Sequence, residues 1–127
     1  MKKTNRPTTA ELEILSVLWE KGEATVREVH EVIDARKPTA YTTVLKFMQI
    51  MDEKGLVERD RSSKAHIYRP TLPEGDTQTT LVTDLLEKAF HGSALRLVQQ
   101  VLETKPATEQ ELKEIRKLIR EAEKNIK

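Results

Sequence analysis

At 127 residues and a formal net charge of +1, the chain can hold one compact domain or one small domain with an oligomerisation appendage, and its overall charge does not by itself point to nucleic acid. It has no cysteine, which excludes a disulfide framework and a thiolate metal site. The basic start Met1-Lys2-Lys3-Thr4-Asn5-Arg6-Pro7 leads into no apolar run, so neither a signal peptide nor a membrane span is expected and the protein reads as cytoplasmic.

Thr8 with Glu11 forms an N-cap pair whose side chains can satisfy each other's orphan backbone donors, and the same device recurs at Thr25 with Glu28 and at Thr108 with Glu111. After the first cap, Leu12, Leu15, Leu18 and Trp19 follow at helical spacing, and Lys21-Gly22 supplies a stop, which predicts a helix over Thr9–Lys21. The second cap opens a short helix with Val26, Val29 and Ile33 as its apolar stripe. It ends before Lys37-Pro38, since the residue ahead of a proline disfavours helix. A third helix is expected from Thr39 or Ala40 to Gly55, burying Val44, Phe47, Met48 and Met51. Its other side then carries Tyr41, Thr42, Leu45, Lys46 and Gln49, groups suited to base edges, thymine methyls and phosphates; the plain alternative is a solvated face.

Residues 56–70 read as two short strands joined by the turn Arg61-Ser62-Ser63-Lys64, with two cations at its tip. Leu56, Val57 and Ile67 are expected to pack the hairpin on the third helix, with Tyr68 in a packing role. A charged hairpin can also serve only to keep an edge strand from pairing. Behind a helix-turn-helix trio, however, it is a wing, and the order of elements predicts a winged helix over residues 1–75 that grips duplex DNA.

Past Pro73-Glu74-Gly75 the composition becomes continuously helical. Leu81, Val82, Leu85, Leu86, Ala89 and Phe90 are followed by Leu95, Val98, Val101 and Leu102, then by Leu112, Ile115, Leu118, Ile119 and Ala122 behind the Thr108 cap. So few helices enclose little core alone, so residues 76–127 are expected to find a partner. A second copy of the chain is the simplest, giving a two-fold dimer through Leu85, Leu86, Leu95, Val98, Leu112, Ile115 and Ile119. The alternative is that they pack back on the winged helix. The predicted fold class is thus mostly α with a small β-hairpin: a winged helix-turn-helix followed by an α-helical dimerisation region.

An enzyme finds little support. His30, His66 and His91 lie far apart, and His30 with Asp34 four residues on reads as a surface helix pair. No Gly-rich phosphate loop or nucleophile elbow is present, so no catalytic residue, cofactor or metal is assigned. The remaining rival is a winged helix that binds protein instead of DNA.

The segments Thr9-Ala10-Glu11-Leu12-Glu13-Ile14-Leu15 with Leu18-Trp19, Thr25-Val26-Arg27-Glu28-Val29, Ala40-Tyr41-Thr42-Thr43-Val44-Leu45, Glu53-Lys54-Gly55-Leu56-Val57 and His66-Ile67-Tyr68 resemble, in that order, the penicillinase-repressor family of bacterial winged-helix regulators. That family includes repressors of β-lactamase and methicillin-resistance genes and copper-responsive transport repressors. The resemblance implies a homodimeric repressor on a palindromic double-stranded DNA operator. Thr42, Thr43 and Lys46 would lie in the major groove, with Tyr41 and Gln49 beside them, and Arg61 and Lys64 in the wing. The copper branch carries a cysteine-rich site, which the absence of cysteine excludes here. In the β-lactamase regulators a membrane metalloprotease signal leads to cleavage in the C-terminal helices. The matching bond is Gln100–Val101, where this chain departs from the Asn-Phe pair of well-known members.

Overall fold

The computed structural model describes residues 6–62 and 64–126, so Met1–Asn5, Ser63 of the predicted turn and Lys127 lie outside the described residues. Among the described residues six helices and a two-stranded antiparallel hairpin follow in chain order: α1 (Thr9–Lys21), α2 (Val26–Arg36), α3 (Tyr41–Lys54), β1 (Val57–Asp60), β2 (Ile67–Pro70), α4 (Glu74–Ala89), α5 (Ala94–Thr104) and α6 (Glu109–Lys124). The predicted class, mostly α with a small hairpin, is the observed one. Two compact units divide the chain, Met1–Val82 and Thr83–Lys127, with the division inside α4.

The helix starts follow their sequence signals. Reciprocal capping boxes join Thr8 to Glu11 and Thr25 to Glu28, which satisfies donors that the first turn leaves open. At Thr108 only one half forms: the side chain accepts from the Glu111 N–H. α3 ends in a Schellman motif, with Gly55 at φ 82° and the Leu56 N–H reaching the Met51 carbonyl at 2.9 Å. That sharp stop turns the chain straight into β1.

The core lies entirely in the first unit. Ile14, Leu15, Val17 and Leu18 of α1 meet Val26 and Val29 of α2, Val44, Met48 and Met51 of α3, and Leu56, Val57 and Tyr68 of the hairpin. Each large side chain so buried contributes about 1.5–3 kcal/mol. Trp19, Ile33 and Phe47, expected inside, sit at the edge of this cluster. Trp19 donates from Nε1 to the Leu72 carbonyl at 3.0 Å, and an indole that keeps such a bond stays near the surface.

One expectation about the hairpin is corrected. Ile67 is only half-buried, whereas Tyr68 is 1% exposed. The register pairs Val57 with Pro70 and Arg59 with Tyr68, and because side chains alternate along a strand, turning Tyr68 inward turns Ile67 away. Tyr68 is held there by Ala24, which exchanges two backbone hydrogen bonds with it at 3.0 and 2.8 Å. This isolated bridge, just ahead of α2, has no periodic signature because it is a single residue long.

Among the described residues Glu11 is the one buried charge of this unit, 3% exposed, and Lys54 Nζ lies 2.6 Å from its Oε1. Burial alone would raise its pKa. The bonds from Lys54 and from the Thr8 backbone outweigh that and hold it below the ordinary 4.5. One carboxylate therefore caps α1 and ties that end to the last residue of α3.

The second unit is different in kind. Neither α5 nor α6 buries any residue, and Leu95 is 77% and Leu118 68% exposed. Among the dimerisation candidates Leu85, Val98 and Ile119 are exposed, while Leu86, Leu112 and Ile115 are half-buried. No helix among the described residues is long and apolar enough to cross a membrane.

Candidate nucleic-acid interface

α3 turns Val44, Met48 and Met51 into the core, so at about 100° per residue Thr42, Lys46 and Gln49 stand on its outer side, all exposed. Tyr41 and Leu45 lie toward the hairpin. Thr43, also exposed, lines a separate hollow with Phe47, Lys37 and Pro38 on the flank toward α1, and so does not share a face with Tyr41. Ala40, the residue before the helix, gives it no side-chain cap, and the Thr43 N–H turns instead to the Ala40 carbonyl at 3.1 Å.

A cavity of about 590 Å³ opens where three elements meet. The start of α2 supplies Thr25, Val26 and Arg27; α3 supplies Tyr41, Leu45 and Gln49; the hairpin supplies Arg59, Ala65, His66 and Tyr68. Among the described residues, two guanidinium groups and no carboxylate line it. Tyr41 and Gln49 are thus brought together with Arg27, Arg59 and His66, none of which stands among the sequence-predicted contacts. The capping box marks the start of α2, but only the packed helix pair brings that start beside α3.

The wing's cations are not equivalent. Arg61 reaches back to Asp52 of α3 at 3.3 Å with 69% of its side chain exposed, a surface pair that holds weakly. Arg69 is occupied by Glu23 at 3.3 Å and Asp60 at 3.7 Å. Arg59 donates from Nε to His66 Nδ1 at 3.0 Å, across the hairpin. Lys64 is exposed. At the turn, Asp60 accepts from the Ser62 hydroxyl and, at 3.0 Å, from the Ser62 N–H, bonds that lower its pKa. His66 follows with φ 53°, a left-handed conformation that His tolerates better than most residues.

His30 and Asp34 are not a pair. His30 Nε2 meets the Thr39 carbonyl at 2.7 Å and Asp34 Oδ1 accepts from the Thr39 N–H at 2.8 Å, so both side chains hold the turn between α2 and α3. Among the described residues no group of three or more His, Asp or Glu side chains could hold a metal ion.

Residues 7–121 match the family described as Penicillinase repressor. The chain belongs to that family. The transcriptional regulator BlaI of Mycobacterium tuberculosis is 37% identical over 90 residues, which cover 70% of this chain and 65% of that protein, so the chain spans just under two thirds of this relative's length. The methicillin resistance regulatory protein MecI of Staphylococcus aureus is 23% identical over 92% of this chain and 95% of its own. The penicillinase repressor of Bacillus licheniformis is 23% identical over 95% and 94%. In three dimensions the chain is similar to the solution structure of the DNA binding domain of the repressor BlaI, with a TM-score of 0.52 and 24% identity over 60% of this chain and 93% of that one, a likeness of fold.

Proposed function

We propose that this member of the penicillinase repressor family is a DNA-binding transcriptional repressor that acts as a homodimer on a palindromic operator. The observation that carries this reading is the meeting of the α2 start, the outer side of α3 and the hairpin at one groove, lined among the described residues by Arg27 and Arg59 and no carboxylate. A B-DNA major groove, about 12 Å wide, admits a helix such as α3. Thr42, Lys46, Tyr41 and Gln49 would meet base edges, and Thr43 the flanking backbone. Arg61 would exchange its weak pair with Asp52 for a phosphate, and Lys64 would join it.

The homodimer is supported by the bare apolar stripes of α5 and α6, whose Leu95, Val98 and Ile119 would otherwise stay in water. Winged helix over 1–75 and dimerisation region over 76–127 then divide the work, one half reading DNA and the other pairing two readers. Repression follows from covering a promoter. Release through a membrane metalloprotease signal, with cleavage at Gln100–Val101, faces one physical condition: the bond lies inside α5, and a helical bond must unwind before a protease can extend it. An intact chain, by mass spectrometry, in fully derepressed cells would rule this route out.

Selection of duplexes from a random pool, followed by a salt titration, tests the main claim. A palindromic consensus with half-sites about one helical turn or a multiple apart is expected, with affinity falling steeply as salt rises. Salt-insensitive binding, or no selected duplex, would instead mark the winged helix as a protein-interaction module.

A further inference from the structure

α3 has no side-chain cap of its own at Ala40. The residue before that cap position, Thr39, is instead gripped on both its backbone groups by α2. Asp34 Oδ1 accepts the Thr39 N–H at 2.8 Å, and the Thr39 carbonyl, which can only accept, takes a hydrogen from His30 Nε2 at 2.7 Å. Thr39 also closes the turn on itself, its hydroxyl donating to the Lys37 carbonyl at 2.6 Å. The His30 ring then meets Tyr41, the first residue of α3, edge to face, with centroids 5.7 Å apart and planes at 77°. His30 and Asp34 stand one helical turn apart on α2, so a single face of α2 sets where the recognition helix begins.

We propose that His30 and Asp34 are positioning residues for DNA reading: they touch no base but hold Thr39 and Tyr41 so that the first turn of α3 meets its base edges in register. The inference rests on the DNA-binding reading above. Contacts that discriminate bases tolerate displacements of only about 0.5 Å, whereas phosphate contacts made by mobile lysine and arginine side chains adapt. Loosening the clamp should therefore cost selectivity and leave general affinity alone. Asp34 is exposed and His30 half-buried, both outside the hydrophobic core, so their replacement leaves the fold standing.

The test uses the full chain as parent, Asp34→Ala and His30→Ala, and the conservative Asp34→Asn and His30→Gln. Asparagine keeps an acceptor for the Thr39 N–H and glutamine a donor for its carbonyl. Two quantities are read: amide hydrogen exchange at Thr39 without DNA, and the ratio of affinities for the duplex the parent selects from a random pool and for a scrambled duplex of equal length. Asp34→Ala should speed exchange at Thr39 and lower the ratio about tenfold, with affinity for the scrambled duplex and the salt slope unchanged. Asp34→Asn and His30→Gln should recover most of it. Unchanged exchange, an unchanged ratio, or a fall in both affinities together would overturn the positioning role. A parent that prefers no duplex overturns the DNA reading and this inference with it, whereas a selective parent whose variants stay selective overturns this inference alone.

Discussion

α3 and α6 are both amphipathic helices, and their fates are opposite. α6 has the stronger local start, with Thr108 accepting from the Glu111 N–H, while α3 has no side-chain cap. Yet Val44, Met48 and Met51 of α3 are at most 1% exposed, and Leu118 and Ile119 of α6 are 68% and 52% exposed. Local signals decide where a helix begins; what covers its apolar face is decided by what packs against it, and most helical stability comes from that packing. In the first unit α1, α2 and the hairpin supply the cover. In the second, a further copy of the chain is the proposed cover, which makes the stability of this half depend on concentration.

The largest expected effect separates the two halves. Truncation after Val82 should leave the first unit folded, because its core ends with Tyr68, and should yield a monomer whose affinity for the selected palindrome falls by about 10²–10⁴-fold through loss of the second contact. Sedimentation and binding titrations check both parts. A truncated chain that stays dimeric would place the dimer contacts in the first unit and erase the difference between the two.

Core substitutions sharpen it. Leu18→Ala, at a position 0% exposed, should cost about 2–5 kcal/mol at every protein concentration. Ile119→Ala, or more severely Ile115→Glu, should instead lower the unfolding midpoint in proportion to how far the dimer is disturbed, so that raising the concentration restores it. Denaturation at several concentrations distinguishes the two; identical behaviour would mean that α6 is not an interface.

Smaller effects are expected on the outer side of α3. Lys46→Ala should weaken binding of the selected duplex by about 1–3 kcal/mol through a lost base contact, or lower the salt slope by about one if Lys46 meets phosphate, with thermal stability unchanged. Replacing Arg61 and Lys64 together should weaken all duplexes by similar factors. Binding equal to the parent in either case would put those side chains outside the interface.

The smallest effect concerns acid. Glu11 has a folded pKa below the ordinary 4.5, so the stability it contributes is present above about pH 4.5 and is lost as pH falls through the lowered folded value. Glu11→Gln should reduce stability at neutral pH by about 1 kcal/mol, a modest figure because Lys54 is partly exposed, and should flatten the decline in acid. Denaturant midpoints across that range measure it. An unaltered acid profile would show that the tie between α1 and α3 contributes nothing.

The elements of the winged helix were legible from residue patterns: α1 runs over the predicted Thr9–Lys21, the capping boxes at Thr8 and Thr25 form, and Gly55 ends α3. The partners of polar side chains were not. His30 and Asp34, spaced as a helix pair, both turn to Thr39, because the backbone groups of a tight turn compete for the same side chains. Arg27 and Arg59 lie far apart in sequence, and no local pattern could have set them in one groove.

By itself, the sequence determined what is local: helix starts and stops, the periodic apolar faces and the order of elements, since caps, turns and 3.6-residue spacing act within a few residues. Tertiary structure decided which strand face turned inward, carrying Tyr68 into the core in place of Ile67, and which cations were occupied. It decided those because a side chain's burial and its partner depend on neighbours that only the folded chain brings within reach, as Ala24 does for Tyr68 and Asp52 for Arg61.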